Sequence, residues 1–97
     1  MVIGTARLVL HLPDSHSLKD KRRVVKSLLA QVQRKFQVAA AEVDQHDQWQ
    51  IGVLGIAYVS TSAGHADEVI ARAVNFISSR VAEADLLEYQ TEVIHAL

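Results

Sequence analysis

The 97-residue sequence predicts an α+β, ferredoxin-like fold of order β-α-β-β-α-β, a four-stranded antiparallel sheet with two helices on one face. Three observations predict it. Apolar residues alternate with period two at the start and end of the chain around a middle run that is apolar throughout, the period switches twice to that of a helix, and turn-forming residues separate the segments. One domain, residues 1–97, is expected from a chain of this length. Right-handed crossovers place the first and third strands at the centre of the sheet.

Residues 2–12 put Val2, Gly4, Ala6, Leu8, Leu10 and Leu12 on one face and Ile3, Thr5, Arg7, Val9 and His11 on the other, and Pro13 stops the strand. Ser17 reads as an N-cap with Asp20 as its capping-box partner. From Leu18 a helical stripe follows: Val25, Leu28, Leu29, Val32 and Phe36. Residues 37–43 form a second strand, 44–48 a turn, and 50–60 a third strand that is apolar on both faces. Gly52 and Gly55 inside it mark close packing. Thr61 or Ser62 caps a second helix with the stripe Ala66, Val69, Ile70, Ala73, Val74 and Ile77. In the last strand, 87–95, Leu87, Tyr89 and Val93 oppose Glu88, Gln90 and Glu92.

Composition narrows the function classes. With 49% hydrophobic and 22% charged residues the chain carries enough apolar material for a core. The absence of cysteine excludes disulfides, thiolate nucleophiles and thiolate metal sites. No apolar run approaches the ~18 residues of a membrane helix, and the N-terminus lacks the basic start of a signal peptide, so a cytoplasmic protein without a membrane partner is expected. The charge is divided unevenly. In residues 1–40 eight cations face two acids, leaving +6, and in residues 41–97 two cations face nine acids, leaving −7. Such a split marks a partner-facing basic surface or an internal complementarity between the halves.

The stretch Ser17-Leu18-Lys19-Asp20-Lys21-Arg22-Arg23-Val24-Val25-Lys26-Ser27-Leu28 resembles the first-helix signature of the YlxP-like bacterial proteins. Ala41-Glu42-Val43-Asp44, followed by Asp47-x-Trp49-Gln50, resembles their hairpin, and the opening Met1-Val2-Ile3-Gly4 and the length agree. The resemblance implies a ferredoxin-like fold and an association with translation and ribosome-maturation proteins. It brings no catalytic activity with it.

Two constellations carry candidate chemistry. Lys19, Arg22, Arg23 and Lys26 fall within an arc of roughly 100° on the first helix, joined at its start by Lys21 and near its end by Arg34 and Lys35. This is the candidate anion- and RNA-binding surface: such a face neutralises phosphates, and the helix N-terminus adds partial positive charge. The alternative is a solvated face paired with Asp20 and the acidic half. The second constellation, Asp44, His46, Asp47 and Trp49, is a candidate recognition site at the hairpin end. There, His16, Lys19 and Lys21 approach the two carboxylates. The structural reading has the carboxylates cap the turn and pair with the helix while Trp49 plugs the end of the core. Its ligand spacing does not suit a metal, and no metal or cofactor is expected.

No catalytic residue is assigned. Nothing pairs a serine with a histidine and an aspartate, and no phosphate-binding glycine loop exists. The acylphosphatase pattern needs an asparagine at the third strand, and the sequence's asparagine is Asn75 in the second helix. An RNA-recognition-motif sheet needs aromatic stacking positions that the first strand lacks and the third supplies only as Tyr58. The expectation is a non-enzymatic protein that binds RNA or a ribosomal particle, with no DNA role, through the first helix. The alternative is a homodimeric protein-interaction module without a nucleic-acid role. It would use the open sheet face, through either Ile51, Val53, Ala57 and Val59 or Leu54, Ile56 and Tyr58, with Ile3 and Val9 beside them.

Overall fold

A computed structural model describes residues 1–79 and 83–97. It contains β1 (Val2–His11), α1 (Leu18–Phe36), β2 (Ala39–Asp44), β3 (Ile51–Ser60), α2 (Ala63–Ser78) and β4 (Asp85–His95). The strands make one antiparallel sheet of order β2-β3-β1-β4, with both central strands as expected. β1 pairs with β3 from Val2↔Ser60 to His11↔Ile51 and with β4 from Val2↔His95 to His11↔Asp85. This is the ferredoxin-like arrangement.

Alternation decides which rows are buried. Leu8, Leu10 and Leu12, with Leu54 and Ile56 of β3, meet Val25, Leu28 and Val32 of α1 and Ile70, Ala73, Val74 and Ile77 of α2. At Gly4 a Cβ would stand 2.9 Å from Ile70 Cγ1 and 3.1 Å from the Ala66 carbonyl oxygen. Helix α2 therefore sits on β1 at a distance only glycine permits. Helix α1 begins at Ser17, whose Oγ accepts from the Asp20 N–H at 3.1 Å, while Asp20 Oδ2 accepts from the His16 N–H at 3.1 Å. It ends at Gln37, which takes the left-handed conformation at φ 55° and donates its N–H to Gln33 O at 2.9 Å. That cap moves the start of β2 to Ala39, two residues later than periodicity suggests. β4 begins at Asp85, two residues earlier than expected, and its pairing with β1 is irregular between Val9 and Leu10.

The helix-free face is the odd-numbered row of β1 and β3. Cross-strand pairing aligns Ile94, Ile3 and Val59 into one apolar row, with Val59 60% and Ile94 41% exposed. Val53, expected to add to this open surface, is 1% exposed. It lies between Val9 and Asp44 on the flanking strands, with Gln45 and Gln48 of the hairpin beside it.

Candidate anion-binding interface and the hairpin end

The β1–α1 loop, the first turn of α1 and the β2–β3 hairpin share one end of the sheet, because β1 and β2 both run towards it. Of the expected cationic residues, Lys19, Arg22, Arg23 and Lys26 are exposed, and none forms an ion pair with a described residue. Pairing with Asp20 does not occur: its carboxylate is engaged at the helix cap. Nor does the acidic half close an ion pair with this face among the described residues. Arg23 borders a depression of about 210 Å³ that also holds Asp14, Asp20 and Glu83, without closing a bridge. Near the other end of α1, Lys35 lies over the Phe76 ring at 5.0 Å, and Arg34 is exposed. In the C-terminal half Arg72 pairs with Glu68 at 2.6 Å, and Arg80 lies outside the described residues.

Lys21 departs from the expectation. It is fully buried, at 0% exposure, and is not part of the anion-binding face. At about 100° per residue it stands roughly 150° round the helix from the middle of the cationic arc, on the stripe with Val24, Val25, Leu28 and Val32. Its ammonium donates to the carbonyl oxygens of Gln45 at 2.8 Å, His46 at 3.2 Å and Ile51 at 3.1 Å. It also ion-pairs with Glu42 Oε2 at 2.9 Å, a buried oxygen that accepts no hydrogen bond from a described residue and so depends on this charge contact. A buried charge survives only when paired and hydrogen-bonded, and Lys21 has both kinds of partner. In the sequence Glu42 stands only as part of the hairpin signature, not as a partner of Lys21. Its signal was the alternation of β2, which places it on the helix-facing side with Ala40.

The hairpin residues also divide differently from the expectation. Asp44 turns away from the helix and pairs with Arg7 of β1 at 3.4 Å, while its other oxygen accepts from the Gln45 N–H at 2.8 Å. His46 Nε2 lies 3.2 Å from Glu42 O, and Asp47 makes no ion pair with a described residue. Trp49 does not plug the core: it is 56% exposed. Leu12, at 0% exposure, closes that end instead and donates its N–H to Gln50 O at 2.8 Å. Gln50 Nε2 reaches back to Pro13 O at 3.3 Å and Ser15 O at 3.1 Å. The hairpin is thus clamped from two sides, by Lys21 and by Gln50, with its indole outside. Among the described residues no three His, Asp or Glu side chains gather as a metal site, and no helix is long and apolar enough to cross a membrane.

Comparison with known proteins agrees with the signatures in α1 and the hairpin. Over 78 residues the chain is 40% identical to "Uncharacterized protein YlxP" of Bacillus subtilis (strain 168), covering 80% of this chain and 85% of the relative. Among solved structures, the N63A mutant of SnoaB, a cofactor-independent oxygenase from Streptomyces nogalater, aligns over 98% of this chain and 91% of its own. Its TM-score is 0.48 and its sequence identity 12%, a likeness that says nothing of chemistry here. Residues 3–91 match the model of a protein family of unknown function, DUF503, and the chain belongs to that family.

Proposed function

We propose that this is a non-enzymatic binding protein that holds RNA, free or within a ribosomal particle, through the exposed face of α1. The observation that carries the reading is the set of four exposed cations, Lys19, Arg22, Arg23 and Lys26, left without an acidic partner among the described residues while Lys21 and Arg7 are paired. Lys19 and Arg23, and likewise Arg22 and Lys26, are four residues apart, so the members of each pair stand about 6 Å apart along the axis, a spacing suited to neighbouring phosphates of one strand. The free N–H groups of the first turn add to the positive potential. Family membership and the YlxP likeness fit a protein without assigned catalysis and leave the partner open. Four contacts to a single strand give an affinity that falls with salt at a logarithmic slope of about −3. The test is Arg22→Glu with Arg23→Glu: binding to ribosomal particles or RNA is lost, with stability changed by less than about 0.5 kcal/mol. Unchanged binding in the double variant, or none by the parent at low salt, refutes it.

A second reading has one observation in its favour, the apolar row Ile94–Ile3–Val59 on the open sheet face. A two-fold axis would let the same patch serve both copies of a homodimer. Val59→Asp then yields a folded monomer by light scattering, and a parent that is already monomeric at tens of micromolar removes this reading.

A further inference from the structure

The hairpin indole lies at the same end of the molecule as the cationic turn, and nothing in the fold explains its exposure. Of the five aromatic side chains, Phe36 and Phe76 meet edge to face at 5.6 Å, Tyr58 packs on His65 at 5.6 Å, and Tyr89 stands on β4. Trp49 takes part in no hydrogen bond or ring contact with a described residue. Its position is nevertheless fixed. The adjoining Gln50 is tied to Leu12, Pro13 and Ser15, and Lys21 holds the Gln45, His46 and Ile51 carbonyls from the first turn of α1. The indole therefore sits on a braced loop at the same end of the molecule as the first turn of α1, which meets the loop through Lys21, on the other side of the helix from Lys19, Arg22 and Arg23.

From this placement we infer that Trp49 is a stacking platform for an unpaired RNA base, and that the partner of α1 is single-stranded RNA rather than duplex. The inference rests on the phosphate-binding reading of α1 and adds the form of the RNA. A base in a duplex offers no free face to an indole, whereas an unpaired base does, whatever its identity. Charge orders the strand on the surface. Asp47, two residues from Trp49, carries an exposed carboxylate without an ion pair to a described residue, which keeps phosphates off the hairpin end. The phosphates go to the helix and the base to the hairpin. The sheet, which lacks the aromatic positions used by sheet-binding RNA modules, is not needed.

Trp49 is the sole tryptophan, so its emission reports this site alone. The intact protein is titrated with a 12-nucleotide single-stranded RNA, a perfect RNA duplex of the same sequence and the corresponding DNA strand. The single strand is expected to quench the tryptophan strongly and the duplex to leave it unchanged. Trp49→Ala is expected to weaken single-strand binding about tenfold, the loss of one stacked base, with duplex binding changed less than twofold. Trp49→Phe restores most of the affinity. Saturating single-strand binding with no change in emission, or equal affinity of Trp49→Ala and parent, overturns the platform while leaving the α1 reading intact. DNA bound as tightly as RNA overturns the assignment to RNA. Binding that survives Arg22→Glu with Arg23→Glu, or that is absent at low salt, overturns the underlying reading and this one with it.

Discussion

Replacing Lys21 by methionine keeps the length and apolar stem of the side chain and removes only the ammonium. Four interactions go with it: three hydrogen bonds to the Gln45, His46 and Ile51 carbonyls, and the 2.9 Å ion pair with Glu42. They do not count equally. Gln45 and His46 are exposed, so water replaces the ammonium at their carbonyls, and each loss approaches the modest net value of about 1 kcal/mol. The Glu42 carboxylate, only 15% exposed, is left without its counter-charge, and breaking a buried pair on one side costs about 3–5 kcal/mol. A domain of this size has about 5–15 kcal/mol in all, so Lys21→Met removes a large fraction of it and lowers the melting temperature by roughly 12–40 °C. Urea unfolding followed by circular dichroism measures the loss. The companion variant, Lys21→Met with Glu42→Met, removes both charges and recovers much of it, because an apolar pair of similar volume replaces a buried ion pair at little cost. A single-variant loss below about 1 kcal/mol would refute the reasoning. The ammonium would then not be a buried anchor.

The other expectations concern residues the structure reassigns or singles out. Trp49→Ala loses less than about 1 kcal/mol in the same unfolding assay, where truncating a core aromatic would cost about 3–5 kcal/mol. Gly4→Ala, whose new methyl meets both Ile70 and the Ala66 carbonyl, loses about 1–3 kcal/mol through overpacking. Neither change alters the salt dependence of RNA binding, which belongs to Lys19, Arg22, Arg23 and Lys26.

The order of elements and the buried rows of β1 and the helices were legible because each depends on periodicity alone. The boundaries that moved did so for local reasons: Gln37 took a left-handed cap where glycine is the usual signal, and β4 added two residues past an irregular register. The cationic arc was legible from angles, and the same angles already separated Lys21 from it. What concealed its burial was composition, since an isolated lysine in a basic run reads as surface until its partner is known. That partner, Glu42, lies on a different element, and only the sheet register brings them together. Trp49 failed as a core plug for a similar reason. Large aromatic residues are expected inside, but Leu12 had filled the position, and the hairpin is anchored through backbone carbonyls rather than through its one indole. Val53 belonged to the open row as alternation required, yet neighbouring strands and the hairpin cover it, which no single-strand pattern expresses.

Sheet order also governs how the chain assembles. The β2–β3 hairpin pairs neighbouring residues, and Lys21 ties it to the helix just before it, so α1, β2 and β3 form a unit from contiguous sequence. β1 is different: it is a central strand whose second partner is β4, and Val2 pairs with His95 across nearly the whole chain. The entropy of closing that loop must be met before the pairing repays it, so β4 docks late and sets the pace of folding. Until it does, β1 is an edge strand, with Arg7 at mid-strand as a charge that discourages its pairing with other chains.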